Sequence, residues 1–192
     1  MKSEMPFLGV RVPEVRRIAL AAVRTLRDPD ELRAAALELW DDAVHREERY
    51  AAMGLLGAEP VRGQLRNVPV IEHMVRTGQW WDFTDDLASR VRELHDAHPR
   101  EAAGLVRTWS TDGDLWIRRV AILSQLGRRA RVDVDLLAAC IETNLDHSDF
   151  FIRKAIGWAL RDHARTDPDW VRAYVGAHAL SPLSRREALK HL

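Results

Sequence analysis

The chain has one cysteine, three lysines and no long apolar run. A lone thiol, Cys140, cannot close a disulfide within the chain. It lies in the apolar run Leu136-Leu137-Ala138-Ala139-Cys140-Ile141, where it reads as a small buried hydrophobe. A membrane-spanning helix needs about 18 consecutive apolar residues, and no run approaches that. No leader with a charged start and an apolar stretch opens the sequence. Alternating β-branched residues are missing as well, so strands are not expected. Low-complexity and linker-like stretches are absent, because the eight prolines and ten glycines come singly. With 46% hydrophobic and 30% charged residues over 192 positions, the expectation is one globular domain spanning 1–192, in a reducing cytoplasm.

Chemical motifs are equally sparse. The eight histidines are scattered, and none forms His-Glu-x-x-His or joins the cysteine at zinc-finger spacing. His95 and His98 could share a helix face, but a helix ending before Pro99 accounts for them more simply. There is no glycine-rich phosphate loop and no Gly-x-Ser-x-Gly elbow. No cofactor or metal is therefore expected. Charge of either sign is also not in excess, with 29 basic and 29 acidic residues. All the basic residues except Lys2, Lys154 and Lys190 are arginine, whose planar fork suits phosphate. A GC-rich genome would produce the same bias. Seven tryptophans are many for this length, and a tryptophan on a polar face is a binding signal.

What the sequence does contain is helical periodicity almost throughout. Breakers recur at Asp28-Pro29-Asp30, Gly57 to Pro60, Gly78, His98-Pro99, Thr111-Asp112-Gly113, His147-Ser148-Asp149, Asp167-Pro168-Asp169 and Ser181-Pro182. Pro13 fits a first helical turn, and Asp114 and Asp149 fit N-caps. Helical runs are expected at Val132 to Asp146 and at Phe150 to Thr166. The segments Asp114-Leu-Trp-Ile-Arg-Arg-Val-Ala-Ile and Asp149-Phe-Phe-Ile-Arg-Lys-Ala-Ile-Gly align without gaps at a spacing of 35 residues. Another 35 residues back from Trp116 is Trp81. Such a period in a helical chain implies an all-α fold of HEAT-like helix pairs stacked into a curved solenoid with a concave face. The spacing predicts equivalent places for Trp81, Trp116 and Phe151 on three successive helices.

One turn after each aromatic comes a charge: Asp85, Arg119 and Lys154. Residues three or four apart share a helix face, so stacking gathers aromatic planes, two cations and a carboxylate on one side. Trp158 and Arg161 extend the third helix's face. Aromatics beside cations suit sugars and bases with phosphates between them. A buried seam with ordinary surface charge is the plainer alternative, and an Asp85–Arg119 salt bridge would fit it.

The residues also resemble the DNA alkylation repair glycosylases of HEAT-like repeats, the AlkC/AlkD type and most closely the AlkD branch. The resemblance runs through Phe7 to Glu14, Glu38-Leu39-Trp40-Asp41 with Arg46-Glu47-Glu48, Trp80-Trp81-Asp82-Phe83-Thr84-Asp85, Leu115 to Arg119, Phe150 to Arg161 and Ser181 to Ala188. It covers essentially the whole chain with order and spacing kept. It implies excision of cationic N3- and N7-alkylpurines from double-stranded DNA by a monomer without an obligate protein partner, and it implies no membrane association. The catalytic carboxylate of the family falls on Asp85, its aromatic cleft residues on Trp81 and Trp158, and its DNA-contacting cation on Arg119. Trp116, Lys154, Arg161, Arg118 and Arg11 complete the set expected to meet DNA. Arg11 and Val12 stand where relatives commonly carry glutamine and threonine. Met1 aligns well inside the relatives' sequences, so their first helices are either missing here or encoded upstream.

An alkylated purine already carries positive charge and leaves without a general acid. The enzyme must then stabilise the oxocarbenium character that develops on the sugar, which a carboxylate can do. The family is thought to leave the lesion stacked, which sets it apart from base-flipping glycosylases. A non-catalytic DNA-structure-binding relative and a HEAT-type protein-binding scaffold are the competing readings of the same solenoid.

Overall fold

A computed structural model describes residues 5–192, so Lys2 lies outside it. Among the described residues there are eleven α-helices, two short 3-10 turns and no strand. The helices are α1 (Val12–Ala22), α2 (Pro29–Asp41), α3 (Arg46–Leu55), α4 (Val68–Gly78), α5 (Trp81–Ala97), α6 (Pro99–Trp109), α7 (Leu115–Leu123), α8 (Val134–Glu142), α9 (Phe150–His163), α10 (Pro168–Ala177) and α11 (Pro182–Ala188). The starts of α2, α6, α7, α9, α10 and α11 and the end of α4 fall at or beside breakers that the sequence marks; boundaries such as Asp41, Arg46, Leu123 and Glu142 carry no such mark. Among the described residues no helix is long and apolar enough to cross a membrane.

Local chemistry sets most of the starts. Asp28, Asp114, Asp133, Asp149, Asp167 and Ser181 each accept hydrogen bonds from backbone N–H groups of the turn that follows. Those N–H groups have no partner within the helix, so a cap of this kind stabilises the start by about 1 kcal/mol. Prolines occupy the first turns of α1, α2, α4, α6, α10 and α11, where a missing N–H costs nothing. The run expected from Val132 to Asp146 is shorter, Val134–Glu142. Its start is fixed where Asp133 receives the Leu136 N–H at 3.0 Å, after a 3-10 turn at Arg129–Arg131. Likewise α9 ends at His163 rather than Thr166.

The helices pair as α2/α3, α4/α5, α6/α7 and α10/α11, while α8 packs on the α6/α7 pair. Helices α3, α5, α7, α9 and α11 pack on one another in a continuous row. Adjacent pairs are stitched by polar contacts as well as by the apolar core. Arg33 donates to Asn67, Arg76 to Asp112, Arg46 to Asp82, Arg119 to Asp85, the Asn144 amide to the Ser110 carbonyl, and the Gly127 N–H to Asp162. Each links residues 34 to 36 apart, so the period of the sequence is the period of the lateral contacts.

The first segment is fastened in its own way. Glu47 of α3 is buried and accepts the backbone N–H groups of Leu8, Gly9 and Val10 at 3.0, 2.8 and 3.2 Å. Gly9 sits at φ +84°, a conformation that other residues rarely adopt. This ties the Phe7–Glu14 segment to the Arg46-Glu47-Glu48 segment.

The tightest packing is between α9 and α11. A Cβ on Gly157 would lie 2.4 Å from the Glu187 Cβ and 2.8 Å from the Ser184 carbonyl oxygen. Gly157→Ala is therefore expected to cost about 1–3 kcal/mol despite alanine's better helix propensity. Gly104 of α6 has open space around it, and Gly104→Ala should add about 0.4–1 kcal/mol. Urea unfolding of both variants tests the pair. A neutral or stabilising Gly157→Ala would contradict the close approach.

Candidate functional site

A cleft of about 310 Å³ opens across the continuous row of helices. Trp81 and Asp85 of α5, Arg119 of α7 and Glu187 of α11 line it. α9 adds Phe150, Phe151, Lys154, Trp158 and Arg161. Trp81 starts α5 and is 39% exposed, while Trp158 is half-buried on α9. Behind these, Phe151 packs against Trp116 and Trp80, with ring centroids 4.9 and 6.0 Å apart.

The helix starts correct the expected equivalence of Trp81, Trp116 and Phe151. Trp80, Asp114 and Asp149 are the three N-caps, and their carbonyls accept from Thr84, Arg118 and Arg153. Counted from the caps, Trp81 matches Leu115 and Phe150, one residue earlier than the ungapped spacing suggests. Burial agrees, since Trp81 and Phe150 are exposed whereas Trp116 is buried. The fifth helical positions are then Asp85, Arg119 and Lys154. The charges, not the aromatics, are the equivalent set.

Asp85 and Arg119 form a two-point fork. Arg119 Nε donates to Asp85 Oδ1 at 2.7 Å and Nη2 donates to Oδ2 at 2.9 Å. Nη1 donates to the Phe151 carbonyl at 2.5 Å, so one guanidinium ties α5, α7 and α9 together. The Asp85 and Arg119 side chains are only 13% and 5% exposed. At such depth the attraction is weakly screened, and the geometry of the fork is held rigidly. Burial lifts the Asp85 carboxyl above its ordinary 3.8; the Arg119 hydrogen bonds and charge offset part of this, and the Asp82 charge adds to it. Asp82 is held by a second fork. Tyr50 donates to it at 2.6 Å, Arg46 at 2.5 and 3.3 Å, and Arg46 Nε also donates to Tyr50 Oη at 2.9 Å.

On the opposite wall, Glu187 joins two cations of α9. Its Oε1 lies 3.0 Å from Lys154 Nζ, and its Oε2 accepts from Arg161 Nη1 at 2.7 Å. Hydrogen bonding from Lys154 first, and then from Arg161, outweighs burial and holds the Glu187 carboxyl below its ordinary 4.5. A second, more polar recess of about 240 Å³ adjoins the cleft and shares Asp85 and Trp158 with it. Ser89, Arg92 and Asp162 contribute to its walls.

A family model described as DNA alkylation repair enzyme matches residues 1–192. The chain belongs to that family. A solved structure described as a predicted DNA alkylation repair enzyme from Enterococcus faecalis is 29% identical, with a TM-score of 0.88 over 98% of this chain and 89% of that one. AlkD2 from Streptococcus mutans superposes with a TM-score of 0.78 at 18% identity, covering 98% of this chain and 94% of that one. The structure of smu.31 from Streptococcus mutans UA159 gives 0.73 at 19% identity, covering 94% and 92%. These last two match in fold. No curated protein matches the chain.

Within this DNA alkylation repair enzyme, the sequence-expected residues separate into two groups. Asp85, Trp81, Trp158, Arg119, Lys154 and Arg161 all line the one cleft. Arg119 is nevertheless not the open cation expected to clamp phosphate, because its three nitrogens already donate within the protein. The salt bridge weighed as the alternative is what forms. Trp116 is buried as a packing residue rather than displayed. Arg118 turns away from the cleft, with its Nε donating to the Asp112 carbonyl at 2.5 Å. Arg11 is exposed at the N-cap of α1, away from the cleft lining. Phe150 and Glu187 are the lining residues for which the sequence offered no role. Phe150 carried a signal in its matching position to Trp81, hidden by the one-residue slip.

These placements predict opposite behaviour for two tryptophans. Trp116→Ala should cost about 3–5 kcal/mol of stability, as expected for a buried aromatic. Trp81→Ala should cost about 1 kcal/mol or less, because much of the ring already meets solvent. Urea unfolding decides it; equal losses would contradict the assignment of Trp116 to the core.

Proposed function

We propose that this repair enzyme hydrolyses the N-glycosidic bond of cationic alkylpurines in duplex DNA, with Asp85 as the catalytic carboxylate. The single observation behind this reading is a carboxylate lifted by burial, fixed by Arg119, and set in a cleft that also displays Trp81 and Trp158. In the proposed reaction the bond between sugar C1′ and the base nitrogen breaks, and its electron pair goes to the base. The base was cationic and leaves neutral, so no acid is required. Positive charge develops on the deoxyribose, where Asp85 supplies the opposite charge in a site already organised to hold it. Water adds its oxygen to C1′, and the proton it releases passes through Asp85 to solvent. Trp81 and Trp158 hold the cationic base or sugar by cation–π contact, contributing on the order of 0.5–2 kcal/mol each.

Arg119 acts on this chemistry through Asp85. By engaging both carboxylate oxygens it fixes their orientation, and it helps keep Asp85 ionised against the cost of burial. Lys154 and Arg161 are the cations of the cleft placed to meet phosphate, which would set the register of the strand without reading its sequence.

The test is release of 7-methylguanine and 3-methyladenine from alkylated duplex. Asp85→Asn should slow release by about 10²–10³-fold. Activity of the parent should fall as pH drops through the lifted value of Asp85, at a higher pH than an ordinary carboxylate of 3.8 would give. The effect on stability has the opposite sense. A carboxyl lifted in the fold contributes stability at low pH and loses it as pH rises through the folded value. The parent should therefore lose ground to Asp85→Asn on raising pH. If the parent releases neither base, Asp85 belongs to a structural ion pair and the protein is a non-catalytic DNA binder.

A further inference from the structure

The α11 segment Ser181–Ala188 has no part in the chemistry above, yet it is placed against the cleft with some precision. The Ser181 hydroxyl caps the helix by accepting the Ser184 N–H at 3.0 Å, and Ser184 Oγ donates to the Arg153 carbonyl of α9 at 2.9 Å. Gly157 has no side chain to hold the two helices apart. This close seating brings Glu187 between Lys154 and Arg161, which lie one turn to either side of Gly157 on α9. Both Glu187 oxygens are taken up, one by each cation.

The charge count of the cleft follows. Three cations (Arg119, Lys154, Arg161) face two carboxylates (Asp85, Glu187), leaving a net charge of 3 − 2 = +1. Arg119 is already committed to Asp85, so whatever grips phosphate must come from Lys154 and Arg161. One negative charge is shared between them. Lys154 keeps 39% of its side chain exposed and Arg161 21%, so both can still reach a strand.

Resting on the reading that this cleft faces duplex DNA, we propose that Glu187 limits how strongly the repair enzyme grips DNA phosphates. It holds Lys154 and Arg161 partly neutralised, and so restrains sequence-independent binding to undamaged duplex. Glu187 is a positioning residue here: it touches the two cations, not the reacting atoms. A carboxylate needed only to fasten α11 onto α9 would leave the electrostatics of DNA binding unchanged when replaced by its uncharged isostere.

The decisive experiment is the salt dependence of binding to an undamaged duplex for the full chain and for Glu187→Gln. Each additional phosphate neutralised steepens the slope of log K against log salt by about 0.9. Glu187→Gln frees one charge in all and is expected to steepen it by about 0.9 and to raise affinity several-fold at about 50 mM salt. Lys154→Gln, which removes one cation and leaves Glu187 paired with Arg161, provides a second reading. In the parent it should flatten the slope by less than about 0.5, because that charge is already half neutralised. An unchanged slope or weaker binding in folded Glu187→Gln would overturn the inference alone. A full loss of about 0.9 in Lys154→Gln would do the same. A parent with no salt-sensitive duplex binding would overturn the DNA reading itself, and the inference with it.

Discussion

The fork between Asp85 and Arg119 is the contact on which the cleft depends. Buried ion pairs are poor sources of net stability, since desolvating both charges consumes most of what their attraction returns. Their value lies in geometry. Arg119 can satisfy its guanidinium only by meeting a carboxylate on α5 and a backbone carbonyl on α9 at once. The spacing of three successive repeats is therefore written into one side chain. A carboxylate on an exposed helix would rotate among rotamers and sit at its ordinary pKa. Here it is fixed, largely dry, and close to exposed tryptophan, which are the conditions under which a single charge stabilises a developing cation most effectively.

The same logic runs along the whole solenoid. Contacts 34 to 36 residues apart recur from Arg33–Asn67 to Gly127–Asp162, most of them between a charged or amide side chain and its neighbour's helix or loop. The inner row carries the chemistry because α5, α7 and α9 turn their fifth positions toward the cleft. Asp85, Arg119 and Lys154 occupy that position in turn. Opposite charges at the first two positions let Asp85 be neutralised laterally by Arg119, while Lys154 is left to be neutralised by Glu187 from the last helix.

Much of this was legible in the residues. The aspartate caps at 114 and 149, the prolines of the first turns and the 35-residue period locate the helices and their stacking. Trp81, Asp85, Trp158, Lys154 and Arg161 do meet in one cleft. What escaped depended on contacts that no local pattern encodes. Trp80 caps α5 without a side-chain bond, so the register of α5 slipped by one against the aspartate-capped helices. Trp116 is buried because Phe151 from the next repeat covers it. Arg118 found a carbonyl in the preceding turn, and Glu187 gained a place in the cleft only through the bare backbone at Gly157.

If Asp85 works because Arg119 holds it, the two residues form one functional unit, and their losses should not add. The most direct test is a double-mutant cycle of Asp85→Asn and Arg119→Gln, read as the single-turnover rate of 7-methylguanine release from alkylated duplex. Arg119→Gln alone should slow release by about tenfold or more, and the double variant should be no slower than Asp85→Asn alone. Losses that multiply independently would contradict the account, because Arg119 would then be acting on DNA and not through the carboxylate it grips.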